Sequence, residues 1–110
     1  MVSEVKNFFE TTSDKLPEEL IEIISHNDSV KIERIISEGH SSPPGFWYDQ
    51  ETNEFVILLE GSAILKFENG QTINLKKGDY LTIPAHVKHR VEYTPSDRKT
   101  FWLAVHFKNE

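Results

Sequence analysis

The chain has 110 residues, which is enough for one domain but not for a second core of useful size. Its formal net charge of -6 argues against a nucleic-acid or anionic-membrane partner, because both are polyanions that bind cationic surfaces. The absence of cysteine excludes disulfides, thiolate zinc sites and cysteine nucleophiles. Charged residues interrupt the first 20 positions, so we expect no signal peptide or membrane span and predict a cytoplasmic protein.

The N-terminal part of the chain is predicted to differ from the rest. Residues 1–29 form an extension in which Pro17, Glu18 and Glu19 precede an apolar segment, residues 20–24. Proline suits the first turn of a helix, and acidic residues suit the positive end of its dipole. We therefore predict a short N-terminal helix, followed by a β-barrel in residues 30–110 of the same domain.

Short strand-like runs follow one another through the second part of the chain, as is typical of an all-β sandwich or barrel with six or seven strands. Asn69-Gly70 is the strongest hairpin signal, and we expect a type I′ turn there, with positive φ at both residues. The predicted strands occupy residues 30–37, 55–59, 63–67, 71–75, 80–83, 89–93 and 100–107, and a further extended run covers residues 46–50.

Residues 78–89 resemble the second sequence motif of the cupin superfamily. That motif has a glycine, five residues, a proline, one residue, a small residue or histidine, two residues and a final histidine. Gly78, Pro84, His86 and His89 stand at those positions. The resemblance extends from about Gly39 to Phe107 and implies a cupin barrel, also called a double-stranded β-helix or jelly roll, with His89 as a metal ligand.

The first cupin motif is matched only in its second half. It has a His-X-His pair, three or four residues, an acid, six residues and a glycine, and Glu54 and Gly61 match the last two positions. In one alignment frame Trp47 and Asp49 replace the two histidines, and in the other Tyr48 and Gln50 replace them. The segment resembles a group of small single-domain cupins, most of which have no settled function.

A carboxylate and an imidazole inside a small barrel occupy positions where aliphatic side chains are usual. Burying a charged carboxylate without partners costs roughly 2 to 5 kcal/mol, so a metal ion or polar ligand is expected to satisfy it. The resemblance implies Glu54 and His89 as ligands, with Asp49 or Gln50 as a third. His106 on the last strand is a possible fourth ligand or a residue that orients one. Such a donor set suits Mn²⁺ or Fe²⁺ and also admits Zn²⁺ or Ni²⁺.

Four aromatic residues, Trp47, Tyr48, Tyr93 and Trp102, are predicted to line a substrate pocket, although core packing explains them equally well. His86 follows Pro84 in a loop, and its role is predicted to be structural.

The leading functional hypothesis is a metal-dependent cupin enzyme acting on a small organic molecule, in which Glu54 or a metal-bound water moves a proton. A dioxygenase, an isomerase and a lyase all fit, because the fold does not select the reaction. The alternatives are a barrel that binds or senses a small molecule without turnover, and a metal-free structural barrel. Apolar residues on both faces of the last strand and in residues 5–9 further predict a homodimer.

Overall fold

Eight antiparallel strands in two sheets make up the regular structure of the described residues, and this confirms the predicted all-β class. The computed structural model describes residues 2, 4–11 and 14–109. The strands are β1 (Leu20–His26), β2 (Val30–Ser37), β3 (Asn53–Glu60), β4 (Ser62–Phe67), β5 (Thr72–Lys76), β6 (Tyr80–Ile83), β7 (His89–Tyr93) and β8 (Thr100–Phe107).

The two sheets differ in width. The larger has the strand order β1-β2-β8-β3-β6, and the smaller has the order β5-β4-β7. The last strand of the chain therefore lies in the middle of the larger sheet, between β2 and β3. The buried apolar core draws on both sheets and consists of Val56, Leu58, Ala63, Leu65, Phe67, Leu75, Ile83 and Trp102.

Strand β3 carries an acidic residue on its buried face. Its burial alternates, so that Glu54, Val56 and Leu58 are buried, whereas Phe55 and Ile57 are only partly buried. Alternation is expected of a strand because successive side chains point to opposite faces of the sheet. Strand β3 is thus buried fully on one face only, and that face holds Glu54.

The prediction of a short N-terminal helix is wrong, because residues 20–26 form strand β1 instead. The strand pairs antiparallel with β2, so that Leu20 lies opposite Ile36 and His26 opposite Lys31. Three isoleucines in this segment favour an extended backbone, and β2 supplies the hydrogen bonds that an isolated helix of two turns lacks. No helix occurs among the described residues, so none of them forms an apolar helix able to cross a membrane.

The Asn69-Gly70 hairpin is confirmed, but its turn is not type I′. Gly70 has a φ of 93°, whereas Asn69 is not among the residues with positive φ. The Gly70 N–H donates to the Phe67 carbonyl at 2.9 Å, and the Phe67 N–H donates to the Gln71 carbonyl at 2.8 Å. This pattern is a type I turn followed by a glycine bulge, the usual form when the loop is longer than two residues.

Gly61 fixes the tight connection between β3 and β4, and therefore the position of Glu54 relative to the smaller sheet. Its φ is 89°, and a Cβ at this position would lie 2.5 Å from Thr100 Oγ1 and 2.8 Å from Thr100 Cα. Gly70 has a similar φ, but no atom lies within 4 Å of the corresponding Cβ position.

We expect Gly61→Ala to lower the free energy of unfolding by about 3 kcal/mol, and Gly70→Ala by only about 1 kcal/mol. Both changes put a side chain on a left-handed backbone, but only the first also forces it against β8. Urea unfolding of the two variants checks this difference. Equal losses in both would show that Thr100 moves aside without cost.

Candidate functional site

A carboxylate and an imidazole meet inside the barrel, one from each sheet. Glu54 lies near the start of β3, and His89 is the first residue of β7. His89 Nε2 lies 3.3 Å from Glu54 Oε1, and the two residues are 6% and 9% exposed. The contact lacks hydrogen-bond geometry, so Glu54 Oε1 is buried without a hydrogen-bond partner.

The His89 ring is held in place from two sides. Its Nδ1 lies 2.9 Å from the Val87 carbonyl, and this contact favours the state in which Nδ1 carries a proton and donates it. The Tyr48 ring stacks on the imidazole with a centroid distance of 5.4 Å. Backbone hydrogen bonds in both directions between Tyr48 and His89, of 2.7 and 3.1 Å, fix the register of this stack. Nε2 is consequently directed towards Glu54.

Arg90 holds the loop that leads to Tyr48. Its guanidinium donates hydrogen bonds to the carbonyls of Ser42 and Pro43, at 2.9 and 3.0 Å, and lies 6.0 Å from the centre of the Trp47 ring. Two consecutive prolines deprive this loop of backbone donors, so a side chain supplies them. Arg90 is therefore a positioning residue for the tyrosine that covers His89.

A second carboxylate–imidazole pair lies in the same barrel. His106 Nε2 is 2.7 Å from Glu33 Oε1, and Lys31 Nζ is 3.6 Å from the other oxygen of Glu33. In the sheet register, Lys31 lies opposite His106, and His106 lies opposite Glu54. Because directly opposite residues share one face of a sheet, the two pairs are neighbours on one wall.

These groups border a pocket of about 270 Å³. Its wall also includes Tyr48, Gln50, Trp102 and Glu19. The Gln50 Oε1 atom is buried without a hydrogen-bond partner, as is the Glu54 oxygen. Glu19 accepts a hydrogen bond of 2.6 Å from the Ser37 hydroxyl.

The charges in this pocket shift the pKa values of three groups. Burial lowers the pKa of His89, but the Glu54 carboxylate and the Val87 carbonyl outweigh burial, so that the net shift is upward. Hydrogen bonding to His106 is the largest cause that lowers the pKa of Glu33. Burial, followed by the negative charges of Glu19, Glu54 and Glu33, raises the pKa of Tyr48.

The pocket contains some of the residues that the sequence singled out and omits others. His89, Glu54, His106, Gln50, Tyr48 and Trp102 line it. Asp49 does not: its carboxylate lies 2.8 Å from His86 Nδ1 at the surface. Trp47 stacks against Arg90, and Tyr93 is 50% exposed. Neighbouring residues in an extended segment point to opposite sides, so Tyr48 and Gln50 face the pocket while Asp49 faces away from it.

Sequence reasoning did not identify Glu33, Lys31 or Glu19 as pocket residues. Lys31 and Glu33 look like solvent-facing charges in a strand that alternates with isoleucine. The available signal was that Glu33 shares its strand face with Ile35 and Ser37, both of which face inward. Glu19 was assigned to the start of a helix, so its position in the pocket wall, one residue before β1, was not predicted.

Comparison with known proteins identifies the family. The family model described as cupin domain matches residues 33–106, most of the chain. The protein belongs to the cupin family. A comparison with functionally curated proteins finds no match.

Solved cupin structures share the fold of this protein. A structure from Ralstonia eutropha JMP134, provisionally named a mannose-6-phosphate isomerase, is 39% identical, covers 97% of this cupin and 100% of its own chain, and has a TM-score of 0.91. A cupin superfamily protein from Desulfitobacterium hafniense DCB-2 is 20% identical over 90% of this chain and 84% of its own, with a TM-score of 0.74. A cupin from Methanocaldococcus jannaschii, described as having a double-stranded β-helix fold, is 20% identical. The match covers 96% of this chain and 94% of its own, with a TM-score of 0.71.

The donor set in this cupin falls short of what a tightly bound metal requires. No cluster of three histidine, cysteine, aspartate or glutamate side chains able to hold a metal exists in the described part of the chain. His89 and Glu54 supply two donors, and the neutral amide oxygen of Gln50 is the remaining candidate. Catalytic zinc sites usually have three protein ligands, and His106 Nε2 is engaged by Glu33. The metal expected from the resemblance stays a prediction.

The raised pKa of His89 makes the stability of this cupin depend on pH. A group whose pKa is higher in the folded state stabilises the fold fully below its unfolded pKa, about 6.5 for histidine, and loses that contribution as the pH rises through the folded value. We expect the free energy of unfolding to fall as the pH rises from about 6 through the folded pKa of His89. The loss is about 1.4 kcal/mol for each tenfold increase in the proton affinity of His89 on folding. Glu54→Gln should reduce this pH dependence, whereas Glu51→Gln at an exposed position should leave it intact.

Chemical denaturation across this pH range, together with NMR titration of the His89 imidazole, provides the measurement. An imidazole that titrates below its ordinary value in the wild-type protein would contradict the assigned charge balance.

Proposed function

We propose that this cupin binds a small polar organic molecule in the barrel pocket and that Glu54 and His89 move a proton on it. The observation that carries the proposal is the buried Glu54 oxygen, unpartnered by any hydrogen bond and 3.3 Å from the imidazole, on the wall of a pocket. A carboxylate beside an imidazole on the wall of a concave pocket is an arrangement typical of sites of proton transfer. The pair supplies one proton acceptor and one proton donor side by side.

The reaction class that fits this pair best is removal of a proton from the carbon next to a carbonyl group. The Glu54 carboxylate is the base that takes the proton from carbon. His89, whose pKa is raised, donates a proton to the carbonyl oxygen, so that negative charge does not build up there. In an α-hydroxy carbonyl compound this gives an enediol. Glu54 then returns its proton to the former carbonyl carbon, while the hydroxyl on the adjacent carbon gives its proton to His89 and becomes the new carbonyl, so that both side chains are restored.

The comparison with the R. eutropha structure supports this class. That protein, 39% identical to this cupin, is provisionally named a mannose-6-phosphate isomerase. Moving a proton between adjacent carbons is one chemical route by which a sugar is isomerised. We propose the reaction class on this support and on the geometry of the pair. None of these proton transfers requires a metal, for which the donor set of the pocket is not a close fit.

We expect the wild-type protein to exchange the hydrogen next to the carbonyl of dihydroxyacetone, glyceraldehyde or mannose for deuterium in heavy water. Glu54→Gln should lower the exchange rate by about 10²-fold to 10⁴-fold, because it removes the base and keeps the shape. His89→Gln should lower it as well. Glu51→Gln is the matched control, since the same chemical change at this exposed residue should have no effect.

The assay uses proton NMR on untagged protein treated with a chelator, and metal content is determined in parallel. Ligand binding without any exchange would contradict catalysis and support a binding or sensing barrel. Exchange that disappears on chelation and returns with stoichiometric Mn²⁺, Fe²⁺, Zn²⁺ or Ni²⁺ would show that the metal-dependent hypothesis is correct instead.

We further propose that two copies of the chain associate through strand β1. This strand is at the edge of the larger sheet, so one side of its backbone has no neighbouring strand among the described residues. Ile21, Ile23 and Ile24 are 50%, 57% and 49% exposed. An open strand edge with a large apolar surface is unfavourable in water. Association with the β1 strand of a second copy covers the edge and the apolar side chains.

Sedimentation equilibrium is expected to show a dimer that Ile23→Lys converts to monomer. Tyr80→Lys is the control, because Tyr80 is 67% exposed on β6 at the opposite edge of the same sheet. A wild-type protein that remains monomeric at all accessible concentrations would rule out this interface.

A further inference from the structure

We propose that the pocket selects a ligand that donates hydrogen bonds and carries no negative charge, such as an unphosphorylated sugar or amino sugar. This inference rests on the proposed function and narrows its substrate class. The inferred ligand also differs from the substrate in the name of the R. eutropha protein, because mannose 6-phosphate is a phosphate ester. Four observations on the pocket wall carry it.

Three carboxylates reach the pocket from three separate parts of the chain. Glu33 comes from β2, Glu54 from β3, and Glu19 from the residue before β1. Lys31 is the single lysine or arginine on the pocket wall among the described residues. An anionic ligand would therefore enter a region in which fixed negative charge predominates whenever the imidazoles are neutral.

The positive groups of the pocket are already engaged by its own carboxylates. Lys31 and His106 both contact Glu33, at 3.6 and 2.7 Å, and His89 contacts Glu54 at 3.3 Å. Glu19 has no ion-pair partner among residues 2, 4–11 and 14–109, and its bond to the Ser37 hydroxyl leaves its charge uncompensated. Lys31 and His106 are thus held by Glu33, which leaves His89 as the one described group of the wall that can present positive charge to a ligand. The arginine fork that commonly binds phosphate or carboxylate groups is missing from the described residues of this wall.

The unsatisfied polar atoms of the pocket wall are acceptors. Glu54 Oε1 and Gln50 Oε1 are both buried without a hydrogen-bond partner, and Glu54 is only 9% exposed. A buried acceptor without a donor is unfavourable, so the complementary ligand presents O–H or N–H groups at this place. Hydroxyl and amino groups do so, whereas an ionised phosphate presents further acceptors.

The negative charge of the pocket also affects the pKa of Tyr48. Burial and the charges of Glu19, Glu54 and Glu33 raise its pKa, because its ionised form would be an anion among three carboxylates. A ligand anion in the same space meets the same repulsion. The rings of Tyr48 and Trp102 contribute an apolar wall that suits the carbon face of a sugar or the methylene groups of an amine.

The size of the pocket agrees with such a ligand. A volume of about 270 Å³ equals that of about nine water molecules at roughly 30 Å³ each. It lies just below the range of roughly 300 to 1,000 Å³ that is usual for pockets of drug-sized ligands. A single hexose is of the right size.

The test measures calorimetric binding of mannose, mannosamine and mannose 6-phosphate at pH 8 and low salt. We expect mannose and mannosamine to bind at least tenfold more tightly than the phosphate ester. Glu19→Gln should reduce the ratio of the affinities for mannose and mannose 6-phosphate by about fivefold, because it removes the uncompensated charge without breaking an ion pair. Glu18→Gln is the matched control, since it removes the same charge from the adjacent exposed residue outside the pocket.

Tighter binding of mannose 6-phosphate than of mannose would overturn the inference, and so would failure of both unphosphorylated sugars to bind. Circular dichroism of each variant verifies that it is folded. The proton-exchange assay is independent of this result. Exchange that depends on Glu54 together with a preference for the phosphate ester would leave the proposed function standing and remove only the charge selectivity.

Discussion

The contact between Glu54 and His89 is the constraint on which the rest of the site depends. It joins the two sheets through polar side chains at a place where a small barrel normally has aliphatic packing. A buried charge of this kind is tolerated only when its surroundings compensate it. The Val87 carbonyl and the Tyr48 ring hold the imidazole, and Arg90 holds the loop that brings Tyr48 there. These contacts keep the pair in place beside the pocket.

Much of this site follows from the sequence because strand periodicity and turn chemistry are local properties. The spacing from Gly78 through Pro84 to His89, and the position of Glu54 seven residues before Gly61, identify two residues that are distant in the chain but meet in the fold. Pairing between strands is not local, and sequence reasoning missed what depends on it. Glu33 contacts His106 only because β2 and β8 are paired in the larger sheet.

The N-terminal segment illustrates the same limit. Pro17 and the acids that follow it are compatible with a helix start, and the local pattern contains nothing that forbids one. The outcome is decided by β2, which has a free edge and apolar residues that pair with those of β1. Tertiary pairing overrides a weak local preference in such a short segment. Once β1 is a strand, Glu19 lies beside the pocket instead of capping a helix.

The arrangement on the pocket wall makes the two imidazoles interdependent. His106 lies opposite Glu54 in the sheet register, while Glu54 contacts His89, so one carboxylate lies between two groups that gain or lose a proton. The charge on either imidazole therefore acts on the same carboxylate. With both imidazoles neutral the three carboxylates outnumber the one ammonium group, and with both protonated the charges balance. The proposed proton transfer and the proposed charge selection therefore depend on the same few side chains of the pocket wall.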